Sequence, residues 1–127
     1  MESEVLIAAE VLIAAWATND RAAYFALFAP EANFIFHNHH SVLRSRDDYA
    51  AAYDSWVVED GFAVLECSSF NRNVTLYGDT AVFTHETFSR ILLRGAVTEL
   101  GERETIVFHR SAAGWLAVHE HVSRLPG

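Results

Sequence analysis

Helical patterning fills the first half of this chain and strand patterning the second, and that segregation limits the fold more than any other feature. From Gly61 onward, four runs (62–76, 80–93, 99–110 and 115–123) read as strands, with turn signals at Gly78-Asp79, around Gly95 and from Ala112 to Gly114. Strands joined by such short turns pair as antiparallel neighbours. Helices first and a meander afterwards give an α+β domain in which N-terminal helices pack on one face of a strongly curved, mostly antiparallel sheet. A length of 127 residues fits a single domain, 1–127.

The helical half begins with EVLIAA written twice, from Glu4 to Ala15. On a helix this segment is apolar nearly all the way round, which predicts a helix covered on several sides. Asp20 is placed to cap a second helix from Arg21 to Ala29, ended by Pro30. A short strand follows at 33–37, then a turn and a poor strand over 38–45. Asp47 can cap a third helix through Val57, on which Tyr49, Tyr53 and Trp56 share a face.

Strand residues alternate between faces, so parity sorts the meander into two sides. In the last strand Leu116, Val118, Glu120 and Val122 form the apolar set. The same sorting groups Val82, Thr84, Glu86, Phe88 and Arg90, and then Glu104, Ile106, Phe108 and Arg110. Each apolar row carries a glutamate. With no β-bulge to invert a row, Glu86, Glu104 and Glu120 face the helices, while His85, His109, His119 and His121 face away. A carboxyl among apolar side chains must find an arginine, gain a hydrogen bond or keep its proton, which makes these glutamates candidate acids and bases.

Composition removes several function classes. A formal charge of −8 opposes binding to nucleic acid or an anionic membrane. All basic residues are arginine, which excludes lysine Schiff-base chemistry. A lone cysteine, Cys67, allows no intrachain disulfide, and a cytoplasmic setting is the expectation. The apolar segment from Val5 to Ala17 is too short to span a bilayer and follows acidic residues, unlike a secretory signal. The runs His37-Asn38-His39 and His119-Glu120-His121 lack the spacing of a recognised metal motif, so neither a metal nor any other cofactor is expected.

Two stretches resemble a known group. The passage from Asn19-Asp20-Arg21 through Leu27-Phe28-Ala29-Pro30-Glu31-Ala32-Asn33-Phe34, and the ending Gly114-Trp115-Leu116-Ala117-Val118-His119-Glu120-His121-Val122-Ser123, resemble SnoaL-like and ketosteroid isomerase-like members of the nuclear transport factor 2-like superfamily. The resemblance implies a cystatin-like cone. Where the isomerases carry a proton-shuttling aspartate this chain has Phe36, and their first-helix tyrosine falls near Leu12. Their second oxyanion donor corresponds to Glu104, a helix-three tyrosine to Tyr53, and the final-strand pocket positions to Val118, Glu120 and Val122. The His-x-His-x-Ser ending is also similar to the association domain of calcium/calmodulin-dependent kinase, a non-catalytic module that assembles into rings.

Residues and resemblance together point to a pocket for a small hydrophobic or aromatic molecule. The leading expectation is a cofactor-independent isomerase, cyclase or hydratase/dehydratase, with Glu120 as general base, Glu104 as a protonated oxyanion donor, and Glu86 and Arg90 tuning the charge. Trp16, Phe28, Phe36, Tyr53, Trp56 and Val118 would line the pocket. The alternative is a non-catalytic ligand-binding or assembly module of the same fold. The outer sheet face, with its histidines, is expected to pair two copies in a homodimer.

Overall fold

In a computed structural model, which describes residues 2–126, the chain runs α1 (Glu2–Ala17), α2 (Arg21–Ala26), β1 (Phe28–Phe36), α3 (Arg46–Asp60), β2 (Ala63–Tyr77), β3 (Thr80–Leu93), β4 (Ala96–Ser111) and β5 (Gly114–Arg124). The strands form one curved sheet in the order β1-β5-β4-β3-β2, with β1 parallel to β5 and the other pairs antiparallel. The helices cover one face of it.

Local chemistry explains where the boundaries differ from expectation. Asp20 caps α2 by accepting from the Ala23 N–H, but the helix stops at Ala26 instead of Ala29. There β5 captures the chain: the Leu27 carbonyl accepts the Ala117 N–H at 2.9 Å, and Phe28 pairs with Ala117. Pro30 is tolerated because β1 is an edge strand whose pairing is interrupted between Phe28 and Asn33. Ser45, not Asp47, caps α3 by accepting from the Asp48 N–H at 3.1 Å. Asp47 and Asp48 occupy the first turn, where the helix dipole favours negative charge. Arg94 and Gly95 both hold positive φ, 50° and 78°, in a two-residue turn that starts β4 at Ala96.

Helix α1 lies over the sheet on one stripe, with Val5, Ala9, Leu12 and Ala15 buried. Its opposite side is open, with Ile7 61% and Val11 49% exposed, so the expectation of cover on several sides does not hold. Asn19, at φ 59°, anchors the α1–α2 corner to β2: its amide both donates to the Val64 carbonyl and accepts the Val64 N–H, each at 2.8 Å. Beneath the helices, Tyr24, Phe25, Phe28, Phe34, Tyr49 and Tyr53 are buried in one cluster with ring centroids 4.5 to 6.3 Å apart. Aromatic burial of this kind supplies much of the core's stability.

Two rows of the sheet differ from the expected parity, and both differences move site residues. Around the Arg94-Gly95 turn, Leu93 pairs with Ala96, which brings His85 opposite Glu104 and Phe83 opposite Ile106. Residues directly opposite in an antiparallel pair share a face. The inner row of β3 is therefore Ala81, Phe83, His85, Thr87, Ser89 and Ile91, all buried, and Glu86 and Arg90 point away from the helices. In β5 a bulge intervenes: Phe108 pairs with Ala117 but Val107 pairs with His119. The extra residue, Val118, puts the fully buried Ala117 on the inner face while Glu120 and Val122 remain there.

Candidate functional site

Between helices and sheet lies a cavity of about 240 Å³. Trp16, Tyr24, Tyr49, Trp56 and Phe62 form its aromatic wall, with Phe36 closing one side. The opposite wall, on the sheet, sets polar side chains among apolar ones such as Ile91, Ile106 and Val122. His85, Thr87 and Ser89 come from β3, Glu102 and Glu104 from β4, and Glu120 from β5. Asp60 and Arg94 mark the mouth, where the Arg94 Nε donates to Asp60 Oδ1 at 3.1 Å and the Arg94 side chain is 72% exposed.

Glu120 pairs with Ile106 in the register and is only 5% exposed. No hydrogen bond or ion pair reaches its carboxyl among the described residues, so burial, reinforced by the charges of Glu104 and Glu102, pushes its pKa well above the ordinary carboxyl value. The hydroxyls of Tyr24 and Tyr49, 2.8 Å apart, are buried nearby; burial is the first cause that keeps each protonated, followed by Tyr49 for Tyr24, and ionisation of Glu120 raises both further.

Glu104 has a different environment. His85 Nε2 lies 2.7 Å from its Oε1, and His85 Nδ1 lies 2.6 Å from Ser69 Oγ, which in turn accepts from Arg72 Nε at 3.0 Å. Only one proton arrangement gives every donor an acceptor with a neutral imidazole: guanidinium to hydroxyl, hydroxyl to Nδ1, Nε2–H to carboxylate. With both ring nitrogens engaged, His85 orients Glu104 rather than meeting a ligand itself. Glu102, nearer the mouth, is held by His37 Nε2 at 2.6 Å; burial raises its pKa while the histidine opposes the shift.

Of the residues expected at the site, Glu104, Glu120, Trp16, Phe36 and Trp56 line the cavity. Phe28 and Tyr53 do not: both are buried in the cluster behind the aromatic wall. Val118 is displaced by the bulge. Glu86 and Arg90 are corrected to the outer face. There Asn71 and Arg103 hydrogen-bond Glu86 and hold its pKa below the ordinary value, and Arg90 lies 3.6 Å from Glu66. His85 is likewise corrected from the outer face to the cavity; His109, His119 and His121 stay outside, with His119 Nδ1 2.6 Å from Asn33 Oδ1.

Glu102 and His85 are site residues that pattern reading missed. Glu102 continues the Glu104–Ile106–Phe108 row by one step, and His85 follows from counting across the Arg94-Gly95 turn. Cys67 also lines the cavity; its thiol is pushed up by burial, which leaves it a poor nucleophile. Among the described residues no three His, Cys, Asp or Glu side chains gather as a metal site. None of the described helices is long and apolar enough to cross a membrane.

A family profile described as the SnoaL-like domain matches residues 5–126. The chain belongs to the SnoaL-like family. No curated protein matches it. Among solved structures it is similar to a nuclear transport factor 2-like protein with a cystatin-like fold from Novosphingobium aromaticivorans, at 21% identity and TM-score 0.76, covering 99% of this SnoaL-like chain and 82% of that one. A ketosteroid isomerase-like protein from Erwinia carotovora atroseptica matches at 20% identity and TM-score 0.79, over 98% and 96% of the two chains. A candidate dehydratase described as belonging to the nuclear transport factor 2-like family, from Streptomyces avermitilis, matches at 21% and 0.76, over 98% and 96%. At these identities the likeness establishes the cystatin-like cone.

Proposed function

We propose that this SnoaL-like protein is a cofactor-independent enzyme of the isomerase, cyclase or hydratase/dehydratase kind, moving a proton on a small, largely apolar substrate. The observation that carries this reading is the placement of Glu120, a buried carboxyl without a partner in an aromatic cavity, diagonally across the sheet from Glu104. Diagonal neighbours lie about 7–8 Å apart at Cα, close enough for two carboxyls to address one bound molecule. Burial and the Glu104 charge favour a protonated Glu120. Glu120 is therefore the acid, donating to the atom where negative charge develops, and Glu104, held by His85, is the base that takes the proton from carbon. These are the reverse of the roles expected from sequence, because the imidazole partner belongs to Glu104.

The test needs no known substrate. A panel of small carbon acids is incubated with the protein in D2O and followed by proton NMR for deuterium uptake at the activated carbon. Exchange above the buffer rate is expected for at least one member, falling 100-fold or more in Glu104→Gln, within the usual 10²–10⁴ range for a general base. Exchange at the buffer rate across the panel, or exchange unaffected by the substitution, overturns the catalytic reading and leaves a binding module.

The outer sheet face is proposed to pair two copies of the chain in a reducing, cytoplasmic setting. Ile35, Val82, Val107 and Leu116 surround His119 and His121 there, and Glu86 and Arg103 neutralise each other beside them. Burial already lowers the His119 pKa, so protonating it within a closed interface is unfavourable. Sedimentation equilibrium is expected to show a dimer at pH 8 that weakens below about pH 6, where imidazoles take up protons. A 14.2 kDa particle at both pH values would contradict the pairing.

A further inference from the structure

Strand β2 is bulged opposite His85. Phe70 pairs with Glu86 and Asn73 with Thr84, so two residues, Asn71 and Arg72, face the single residue His85. Asn71 holds φ 54° there. Ser69 pairs with Thr87 and is on the inner face. In a regular strand Asn71 would then point inward and Arg72 outward. The bulge reverses this. Asn71 reaches Glu86 on the outer face at 2.6 Å, and Arg72 turns inward toward α1, its Nε 3.0 Å from Ser69 Oγ and its Nη1 3.5 Å from Glu10. An ion pair as exposed as Arg72–Glu10 contributes little by itself. What the bulge achieves is to set a cation against the Ser69 hydroxyl.

That contact governs what His85 can do. The ring is fully buried, with Ser69 on Nδ1 and Glu104 on Nε2. It can be neutral, donating from Nε2 alone, or it can carry a second proton on Nδ1 and need an acceptor there. The Ser69 oxygen already accepts from Arg72, and the guanidinium charge repels a second cation close by. Both effects make the hydroxyl a donor to Nδ1. The difference reaches the cavity through Glu104, because a carboxylate facing an imidazolium has its charge stabilised and takes up a proton less readily than one facing a neutral N–H.

We propose that Arg72 and Ser69 are positioning residues for the proton transfer: acting through His85, they hold the imidazole neutral with its proton on Nε2, and so keep Glu104 oriented and basic. This rests on the proposed role of Glu104 as the base. Neither residue lines the cavity.

Nitrogen-15 NMR of histidine-labelled protein at pH 7 reads the ring directly, because protonated and bare ring nitrogens resonate far apart; the His85 signals are assigned by their loss in His85→Gln. The wild type is expected to show Nε2 protonated and Nδ1 bare. Arg72→Met keeps the apolar stem but removes the charge and the donor, and is expected to put a proton on Nδ1 in a measurable share of molecules. Arg72→Lys, which restores a charged donor, is expected to return the wild-type pattern. In the D2O exchange assay Arg72→Met and Ser69→Ala are each expected to slow exchange about tenfold, the scale on which outer hydrogen-bond partners of an oriented imidazole act. The double variant should lose no more than either single one, since the two residues form one chain. A wild-type ring protonated on Nδ1, an Arg72→Met spectrum identical to the wild type, or losses that multiply in the double variant overturns the inference. A spectrum that changes as expected in a protein that exchanges no carbon acid supports the hold of Arg72 and Ser69 on His85, and overturns the catalytic reading of Glu104 instead.

Discussion

Glu120→Gln is expected to abolish most proton transfer and, in the same protein, to raise stability as the pH increases. Glutamine keeps the shape and can still donate a hydrogen bond, but it cannot release a proton, so exchange should fall by about 10²–10⁴. The stability effect follows from linkage. The Glu120 carboxyl is held protonated in the folded state well above the value it has in the unfolded chain. As pH rises past the unfolded value, the unfolded chain ionises first and is stabilised by doing so, whereas the folded chain is not. The wild type therefore loses stability from there up to the folded-state pKa, and Glu120→Gln does not. At low pH, where both side chains are neutral, the two proteins should unfold alike. Urea denaturation across a pH series reads the difference; parallel curves for the two proteins would show that Glu120 is not a buried, unpaired acid. Glu104→Gln should flatten the same dependence in part, since the Glu104 charge is one cause of the shift.

Phe28→Ala is expected to remove about 3–5 kcal/mol of stability, a large share of the roughly 5–15 kcal/mol typical of a domain. Phe28 is fully buried, with Tyr24 and Phe34 each 5.1 Å away and Tyr49 at 6.0 Å, between the start of β1 and the helices. It does not line the cavity. Measured by calorimetry where the variant is still folded, affinity of the cavity for a one-ring apolar probe such as phenethyl alcohol should be unchanged, whereas Trp56→Ala, which strips an aromatic wall, should weaken it. Loss of affinity in Phe28→Ala at wild-type stability would place this ring in the pocket after all.

The architecture was legible because helix and strand periodicities occupy separate halves of the chain, and because Gly78, Gly95 and Gly114 stand at turns that require positive φ. The inward faces of β4 and of the end of β5 were also legible, through Glu104–Ile106–Phe108 and Glu120–Val122. Parity failed in β3 because both of its rows carry apolar residues: Val82 and Phe88 on one side, Phe83 and Ile91 on the other. Pattern alone cannot choose between them. The turn can, since a two-residue loop at Arg94-Gly95 fixes His85 against Glu104 by counting. No such count reveals the bulge at Val118, which breaks the pairing within an otherwise regular strand. The aromatic residues had no signal to separate wall from core: Tyr53 and Trp56 share a helix face, yet only Trp56 reaches the cavity.

The central claim is that Glu120 waits in the cavity as a protonated acid beside an oriented carboxylate. Infrared difference spectroscopy between the wild type and Glu120→Gln, recorded across a pH series, tests it most directly. A protonated-carboxyl band is expected in the wild type that persists after the surface carboxyls have ionised, and that is absent from the variant. A band that disappears with the surface carboxyls, at the ordinary glutamate value, would contradict it.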